Sequence, residues 1–292
     1  MPLGLLADRW NRNAVCAASG CCLAALSYLF GGVPLVGALT AGIGNALFHV
    51  GGGIDILNLS EKKAGALGIF VSPGAFGIFF GTLLGKQNLL LPALPALILL
   101  VAAVGILAVC HASRHSFLSG NAPVGFEGIG LSGASTGVLC LFLVVCLRSY
   151  AGMMMSFPWK SEGYWSILLL CAVAFGKAAG GLLADKAGFV RASVYSLGLC
   201  SVLFLLSANP AVGVAAVFLF NMTMPITLWA VVRIIPGAKG FSFGLLTFGL
   251  FLGFLPAYLG YEPLLYVSAG SALAAILSLI LLTVGLKKGV RL

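Results

Sequence analysis

Three ionisable side chains lie inside long apolar runs of the sequence: His49, Arg148 and Lys177. An ionisable group in hydrocarbon costs about 3 kcal/mol on insertion scales, so such residues are candidates for function. Asn45 lies one helical turn before His49 on the same face. A histidine that titrates near neutrality suits a proton relay. The alternative is a hydrogen bond between helices that only fixes their packing.

Arg148 and Lys177 each have two interpretations. Arg148 lies roughly 24 Å along its apolar run if the run is helical. It either attracts an anionic substrate group or anchors the helix at the membrane interface. Lys177 precedes Asp185 by eight residues, which corresponds to about 12 Å along a helix. It either exchanges a proton in a cavity or reaches the interface with its long stem.

The composition shows which elements must position these residues. Of 292 residues, 61% are hydrophobic and 8% are charged, and the mean hydropathy is +1.13. Soluble domains carry roughly 25% charged residues, so this chain lacks the charges to cover a water-exposed surface. A helix of about 20 apolar residues spans a bilayer. The sequence therefore predicts an all-α membrane protein with spans at about 14–31, 34–54, 64–84, 89–110, 132–155, 163–182, 190–207, 210–232, 241–260 and 263–285.

The basic residues between these runs predict the orientation. One set of alternate loops contains only Lys86 and Lys160. The other set carries Arg9, Arg12, Lys62, Lys63, Arg114, Lys186, Arg191, Arg233, Lys239, Lys287, Lys288 and Arg291. Because basic loops stay inside, both termini are predicted to be cytoplasmic in a cell-membrane protein. This asymmetry accounts for the net charge of +9 without a nucleic-acid partner, since the charges form no basic face.

Other kinds of chemistry lack their sequence signals. The eight cysteines form no Cys-x-x-Cys pair and fall in apolar runs, where cysteine acts as a small packing residue. The sequence contains no phosphate-binding loop, zinc-protease motif or nucleophile elbow. We therefore expect no enzyme activity, cofactor or metal site. If the protein transports a compound actively, the energy must come from a gradient across the membrane. The expected partners are the lipid bilayer and a small molecule.

A repeated segment points to internal symmetry. Gly4-Leu5-Leu6-Ala7-Asp8 recurs as Gly181-Leu182-Leu183-Ala184-Asp185, and internal repeats are typical of transporters with two similar halves. Both copies fall on the predicted cytoplasmic side, and four spans follow each copy. Two spans precede the second copy, but only three residues precede the first.

These segments resemble the loop signature of the major facilitator superfamily, which joins the second and third helices of each half. The first copy keeps Gly4, Asp8, Arg9 and Arg12, with Asn11 where the family has glycine. The second copy keeps Gly181, Asp185, Lys186, Gly188 and Arg191. The resemblance implies a major-facilitator-type bundle of about ten helices, corresponding to family helices three to twelve with the first two absent. The halves would be 1–112 and 132–292, joined by a cytoplasmic linker at 113–131.

Two shorter stretches resemble the fosmidomycin-resistance branch of that family. They are Gly42-Ile43-Gly44-Asn45-Ala46-Leu47-Phe48-His49 and Leu147-Arg148-Ser149-Tyr150. The resemblance implies a proton-coupled exporter of a small organic compound that works by alternating access. Its substrate and proton pathway would include Asn45, His49, Arg148, Tyr150 and Lys177. The alternative is a truncated, transport-inactive membrane protein or an interaction partner.

The repeated loops are predicted to form a cytoplasmic gate. Asp8 and Asp185 would lie at helix ends, where carboxylates engage helix N-termini and arginines. The resemblance also suggests that Arg12 pairs with Asp55, which closes the second span on the same side. The alternative for these charges, and above all for Arg9 and Lys186, is a solvated surface position.

Overall fold

The computed structural model describes residues 1–60, 62–87, 91–113, 124–126, 133–262 and 267–290, and every long regular element among them is an α-helix. Most of the predicted linker at 113–131 lies outside the described residues, as do the basic residues Arg114 and Arg291. In chain order the helices are α1 (Pro2–Trp10), α2 (Asn13–Leu26), α3 (Pro34–Leu59), α4 (Gly65–Val71), α5 (Gly74–Lys86), α6 (Ala93–Ala112), α7 (Ala134–Met154), α8 (Trp165–Ala187), α9 (Phe189–Leu205), α10 (Pro210–Asn221), α11 (Met224–Ile234), α12 (Lys239–Tyr258) and α13 (Val267–Gly289). Short 3-10 turns follow α2 at Ser27–Phe30 and α7 at Pro158–Ser161.

The helices match the predicted spans. Within the described residues, nine stretches are long and apolar enough to cross a membrane. The helix α9 corresponds to the remaining predicted span, 190–207, and has 17 residues. Its length of about 25 Å is close to the thickness of the hydrocarbon layer. Short α1 precedes these spans and carries the first copy of the repeated segment.

Two of the spans are broken by proline. The span Gly65–Lys86 is interrupted between α4 and α5, where Pro73 follows Ser72. The span Pro210–Ile234 is interrupted at Met222 and Thr223, two residues before Pro225. Proline lacks an N–H and restricts the residue before it, so each helix stops and a new one begins. The second break places Thr223 at the start of α11.

The first compact unit comprises Met1–Glu61, Phe80–Gly125 and Pro236–Gly244. Its core is built from small side chains. Ala7, Cys16, Val50 and Ile54 form one buried cluster, and a second cluster is Ala18, Cys21 and Ala103. Small residues let helix backbones approach closely in lipid, where the hydrophobic effect does not drive helices together.

The second compact unit comprises Lys62–Phe79, Phe126–Ile235 and Leu245–Leu292. Its fully buried side chains are larger, and Leu141, Leu197, Phe204 and Phe220 are 0–2% exposed. The helix α13 packs on α7 and α9, and α4 packs on α8.

The borders of the two units differ from the predicted halves. The helix α4 belongs to the N-terminal half by sequence but packs against α8, and the start of α12 lies with α1. The division into halves at 1–112 and 132–292 therefore stays a prediction from the repeat.

Candidate functional site

Asp8 caps the N-terminus of α12. Its carboxylate accepts hydrogen bonds from the backbone N–H of Gly240 at 2.8 Å and of Phe241 at 2.9 Å. These N–H groups belong to the first turn of α12 and have no partner within the helix. The side chain of Asp8 is only 6% exposed. A carboxylate at this end of a helix also interacts favourably with the helix dipole.

Asp185 repeats this arrangement at the start of α4. Its carboxylate accepts hydrogen bonds from the backbone N–H of Ala64 at 2.6 Å and of Gly65 at 2.9 Å. The two carboxylates therefore occupy matching positions, each on a helix N-terminus more than a hundred residues away in sequence. They differ in environment, because Asp185 is exposed and Asp8 is buried.

The glycine of each repeated segment makes its cap possible. A Cβ on Gly4 would overlap the carbonyl group of Gly240, and a Cβ on Gly181 would overlap the carbonyl group of Ala64. Each glycine lies one helical turn before its aspartate, on the same face. Hence the glycine lets the two backbones approach, and the aspartate carboxylate then accepts hydrogen bonds from the backbone N–H groups of the neighbouring helix.

The turn after each cap needs an unusual backbone conformation. Asn11 has φ 49°, in the left-handed region, and Gly188 at the matching position of the second copy has φ 88°. Asparagine is one of the few residues other than glycine that adopts the left-handed conformation readily. The departure of the first copy from the family pattern at Asn11 therefore preserves the sign of φ.

The predicted pair of Arg12 with Asp55 is wrong. Asp55 accepts a hydrogen bond of 2.8 Å from Nδ2 of Asn13, in a buried contact between α2 and α3. Arg12 precedes α2 as its N-cap residue, and its side chain is exposed. Asn13 is the first residue of α2 and its side chain is buried, whereas Arg12, one residue earlier, is exposed. The side chains of Arg9, Lys186 and Arg191 are exposed as well.

Arg148 is held by two threonines at the break in the span Pro210–Ile234. Its Nη2 donates hydrogen bonds to Oγ1 of Thr223 at 2.7 Å and of Thr227 at 3.3 Å. Both hydroxyl groups donate to backbone carbonyls of their own segment, which leaves their oxygen lone pairs to accept from the guanidinium. The Nε and Nη1 atoms of Arg148 are buried and have no hydrogen-bond partner among the described residues.

A cavity of about 420 Å³ lies beside Arg148, at the N-terminal end of α8. The cations that line it are Arg148, Lys160 and Lys177, and its polar residues include Ser149, Ser166 and Asn221. Phe79, Met153, Leu170 and Phe220 belong to its apolar wall. Tyr150 is partly buried and lies outside this lining.

The second compact unit therefore brings together two of the predicted pathway residues, Arg148 and Lys177. Asn45 and His49 lie in the first compact unit. Asn45 is exposed, and the half-buried ring of His49 stacks on Phe243 with 6.3 Å between ring centroids.

Sequence reasoning missed Thr223, Thr227 and Asn13. Pro225 was an available signal for Thr223, because a proline inside an apolar run indicates a helix break at which backbone and hydroxyl groups can meet a ligand or a charge. In the described residues, no group of three or more His, Cys, Asp or Glu side chains is placed to hold a metal ion.

Comparison with known proteins identifies the fold. No family model matches the chain, and no curated protein sequence matches it. Among solved structures, a variant of the E. coli fucose:proton symporter FucP is similar with a TM-score of 0.64 and 13% sequence identity. The match covers 97% of this chain and 86% of that chain. With its repeated, capped segments and its apolar helices, the chain has a major-facilitator-type helical fold.

Proposed function

We propose that the chain is a secondary transporter that moves a small organic compound by alternating access, driven by a proton gradient. The observation that carries this proposal is the pair of matching caps at Asp8 and Asp185. Each cap joins a residue of one sequence half to a helix N-terminus of the other half. Two-half transporters work by rocking about a central site, which requires contacts between the halves that can form and break. Capping hydrogen bonds meet this requirement, because water can replace them when the contact opens.

The two ends of α8 support the proposal. The C-terminal end is held against α4 by Gly181 and Asp185, while residues of the N-terminal end line a cavity of about 420 Å³. One helix is thus closed against its neighbour at one end and bordered by open space at the other. This is the arrangement expected of a transporter with one of its two gates closed.

The proposed orientation follows from the distribution of basic residues. With basic loops inside, the caps lie on the cytoplasmic side of a cell membrane and both chain termini are cytoplasmic. The cavity beside Arg148 then faces the outside. In this assignment the cytoplasmic gate motif comprises Gly4, Asp8, Arg9, Arg12, Asp55, Gly181, Asp185, Lys186, Gly188 and Arg191.

Proton coupling and outward transport form the finer part of the proposal. His49 is the histidine placed inside a predicted span, and histidine is the residue type most often used to carry protons near neutral pH. Its stacking on Phe243 links it to α12, whose N-terminus Asp8 caps. A proton taken up by His49 would place a positive charge beside α12, the helix that Asp8 caps. Export with proton uptake is the direction that we assign.

Flux in reconstituted vesicles tests this function. Purified protein is placed in liposomes, a pH gradient is imposed, and movement of a panel of small organic anions, cations and neutral compounds is measured. We expect at least one compound to move faster than in protein-free liposomes, and a protonophore should abolish the difference. His49→Gln should uncouple flux from the gradient, whereas His111→Gln, at the end of α6, serves as the matched control. Flux that never depends on both the protein and the gradient would refute the proposal.

A further inference from the structure

We infer that the compound carried is an organic anion, with an oxyanion group held by Arg148 and Lys177 and an apolar body. This inference rests on the proposed function and assigns its substrate class. Among the residues that the structure describes, the lining of the cavity beside Arg148 has three cationic side chains and no carboxylate. A site with this charge pattern attracts anions and repels cations.

The cost of burying Arg148 supports an anionic partner. The guanidinium is 6% exposed and lies in a predicted span. A buried charge without an opposite charge is expensive in protein interiors and more so in membranes. Two threonine hydroxyls bind Nη2, whereas Nε and Nη1 have no partner among the described residues. Nε and Nη1 therefore have unused hydrogen-bonding capacity, although both atoms are buried from solvent in this conformation.

The carboxylates that the structure describes are engaged elsewhere or absent from the cavity lining. Asp8 and Asp185 cap helix N-termini, and Asp55 accepts from Asn13. The other acids that the structure describes, Glu162 and Glu262, are absent from the cavity lining. Among the described residues, the cavity lining thus contains no group that can neutralise Arg148 and Lys177. An anion from solution can.

The helix break strengthens the attraction. The helix α11 begins at Met224, which lines the cavity, and its preceding residue Thr223 holds Arg148. The N-terminus of a helix carries a partial positive charge. Transporters use the N-termini of broken helices near the midplane to hold anionic substrate groups. Here Met224 at the break, Arg148 and Lys177 all line one cavity.

The rest of the lining determines the body of the ligand. Phe79, Met153, Phe157 and Phe220 are among its apolar residues. Aromatic and methionine side chains bind flat or branched apolar groups, and methionine adapts to irregular shapes. A volume of about 420 Å³ lies within the usual range for small-molecule sites. An aromatic or branched carboxylate fits these properties.

Binding to purified protein in detergent micelles tests the charge preference directly. The probes are phenylacetate, phenylacetamide and phenethylamine, which share one apolar body and differ in charge. Isothermal titration calorimetry should give an affinity at least tenfold tighter for phenylacetate than for phenylacetamide, and no binding of phenethylamine. Lys177→Met should weaken phenylacetate binding at least tenfold without changing the melting temperature. Lys63→Gln, which removes an exposed positive charge outside the cavity, should leave the affinity unchanged.

The outcomes separate this inference from the proposed function. Equal binding of the acid and the amide, binding of the amine, or no binding of any probe would overturn the anion assignment. Wild-type affinity in Lys177→Met would overturn the role of that residue. Gradient-driven flux of a cation without anion binding would leave the transporter function standing while this inference fails. Selective anion binding without flux of any compound would leave the anion-binding site standing while the transporter function fails.

Discussion

Gly181 and Asp185 lie one turn apart on α8 and meet the same two residues at the start of α4. The backbone of Gly181 packs against the carbonyl group of Ala64, and the carboxylate of Asp185 accepts from the N–H groups of Ala64 and Gly65. Gly4 and Asp8 repeat this relationship with Gly240 and Phe241 of α12. Close approach of the two backbones and capping of the helix thus occur together. The approach requires glycine, and the cap requires aspartate.

The two caps should differ in their contribution to stability. Asp8→Ala removes two hydrogen bonds in a buried site and leaves N–H groups without a partner, so we expect a loss of about 2 kcal/mol. Asp185→Ala opens the N–H groups of Ala64 and Gly65 to water, because Asp185 itself is exposed, and should cost about 1 kcal/mol. Melting temperatures in one detergent should fall by about 2–4 °C per kcal/mol. A larger effect at Asp185 than at Asp8 would contradict the assigned environments.

The close approach at Gly181 predicts a sharp response to one added methyl group. Gly181→Ala forces α8 away from the start of α4 and should lower the melting temperature, because overpacking typically costs about 1–3 kcal/mol. Gly198 on α9 is the matched control, since a Cβ there meets no neighbouring atom. Gly198→Ala should be neutral or stabilising by up to about 1 kcal/mol. Equal behaviour of the two variants would exclude a steric role for Gly181.

The buried position of Asp8 predicts a pH effect. Burial raises the pKa of the Asp8 carboxyl above its ordinary value, although hydrogen bonds from Gly240 and Phe241 and the charge of Lys239 oppose this rise. The folded state then binds a proton more tightly than the unfolded state does. The wild type should therefore gain stability relative to Asp8→Asn as pH falls from neutral to the ordinary Asp pKa of about 3.9. This gain should disappear as pH rises through the pKa of the folded state.

Melting temperatures of the two proteins across that pH range provide the measurement. Burial would not dominate the pKa of Asp8 if the melting temperature of the wild type relative to Asp8→Asn stayed constant, or decreased, as pH falls. Asp55→Asn is a useful comparison, since this buried carboxylate accepts from a side chain, Nδ2 of Asn13.

The bond between Arg148 and Thr223 should have a measurable energy. Thr223→Val keeps the shape of the side chain but removes the acceptor at 2.7 Å, and hydrogen bonds to charged groups contribute about 1.5–3 kcal/mol. We expect a lower melting temperature for Thr223→Val and a value near wild type for Thr223→Ser, which keeps the hydroxyl. If Thr223→Ser fell as far as Thr223→Val, the methyl group and not the hydrogen bond would be responsible.

Hydropathy and charge patterning predicted the helices well because a bilayer imposes a fixed length and an apolar surface on each span. The repeated segment predicted that Asp8 and Asp185 would engage helix N-termini. It did not reveal which N-termini, since those lie more than a hundred residues away in sequence. The predicted partner of Asp55 was wrong by one residue, because Asn13 is buried at the start of α2 whereas the side chain of Arg12 is exposed. Thr223 and Thr227 escaped prediction because hydroxyl groups inside an apolar run do not stand out until their partner Arg148 is located.

Alternating access requires that closure at the caps and opening at the cavity are coupled. Hydrogen–deuterium exchange of the wild type and of the double variant Asp8→Asn with Asp185→Asn measures this coupling. We expect faster exchange at the starts of α4 and α12 together with slower exchange at the N-terminal end of α8, as the population shifts towards the opposite state. The double variant of Lys86→Gln with Lys287→Gln, whose side chains are exposed, should exchange like the wild type. Faster exchange at the caps with no change beside the cavity would contradict alternating access in this protein.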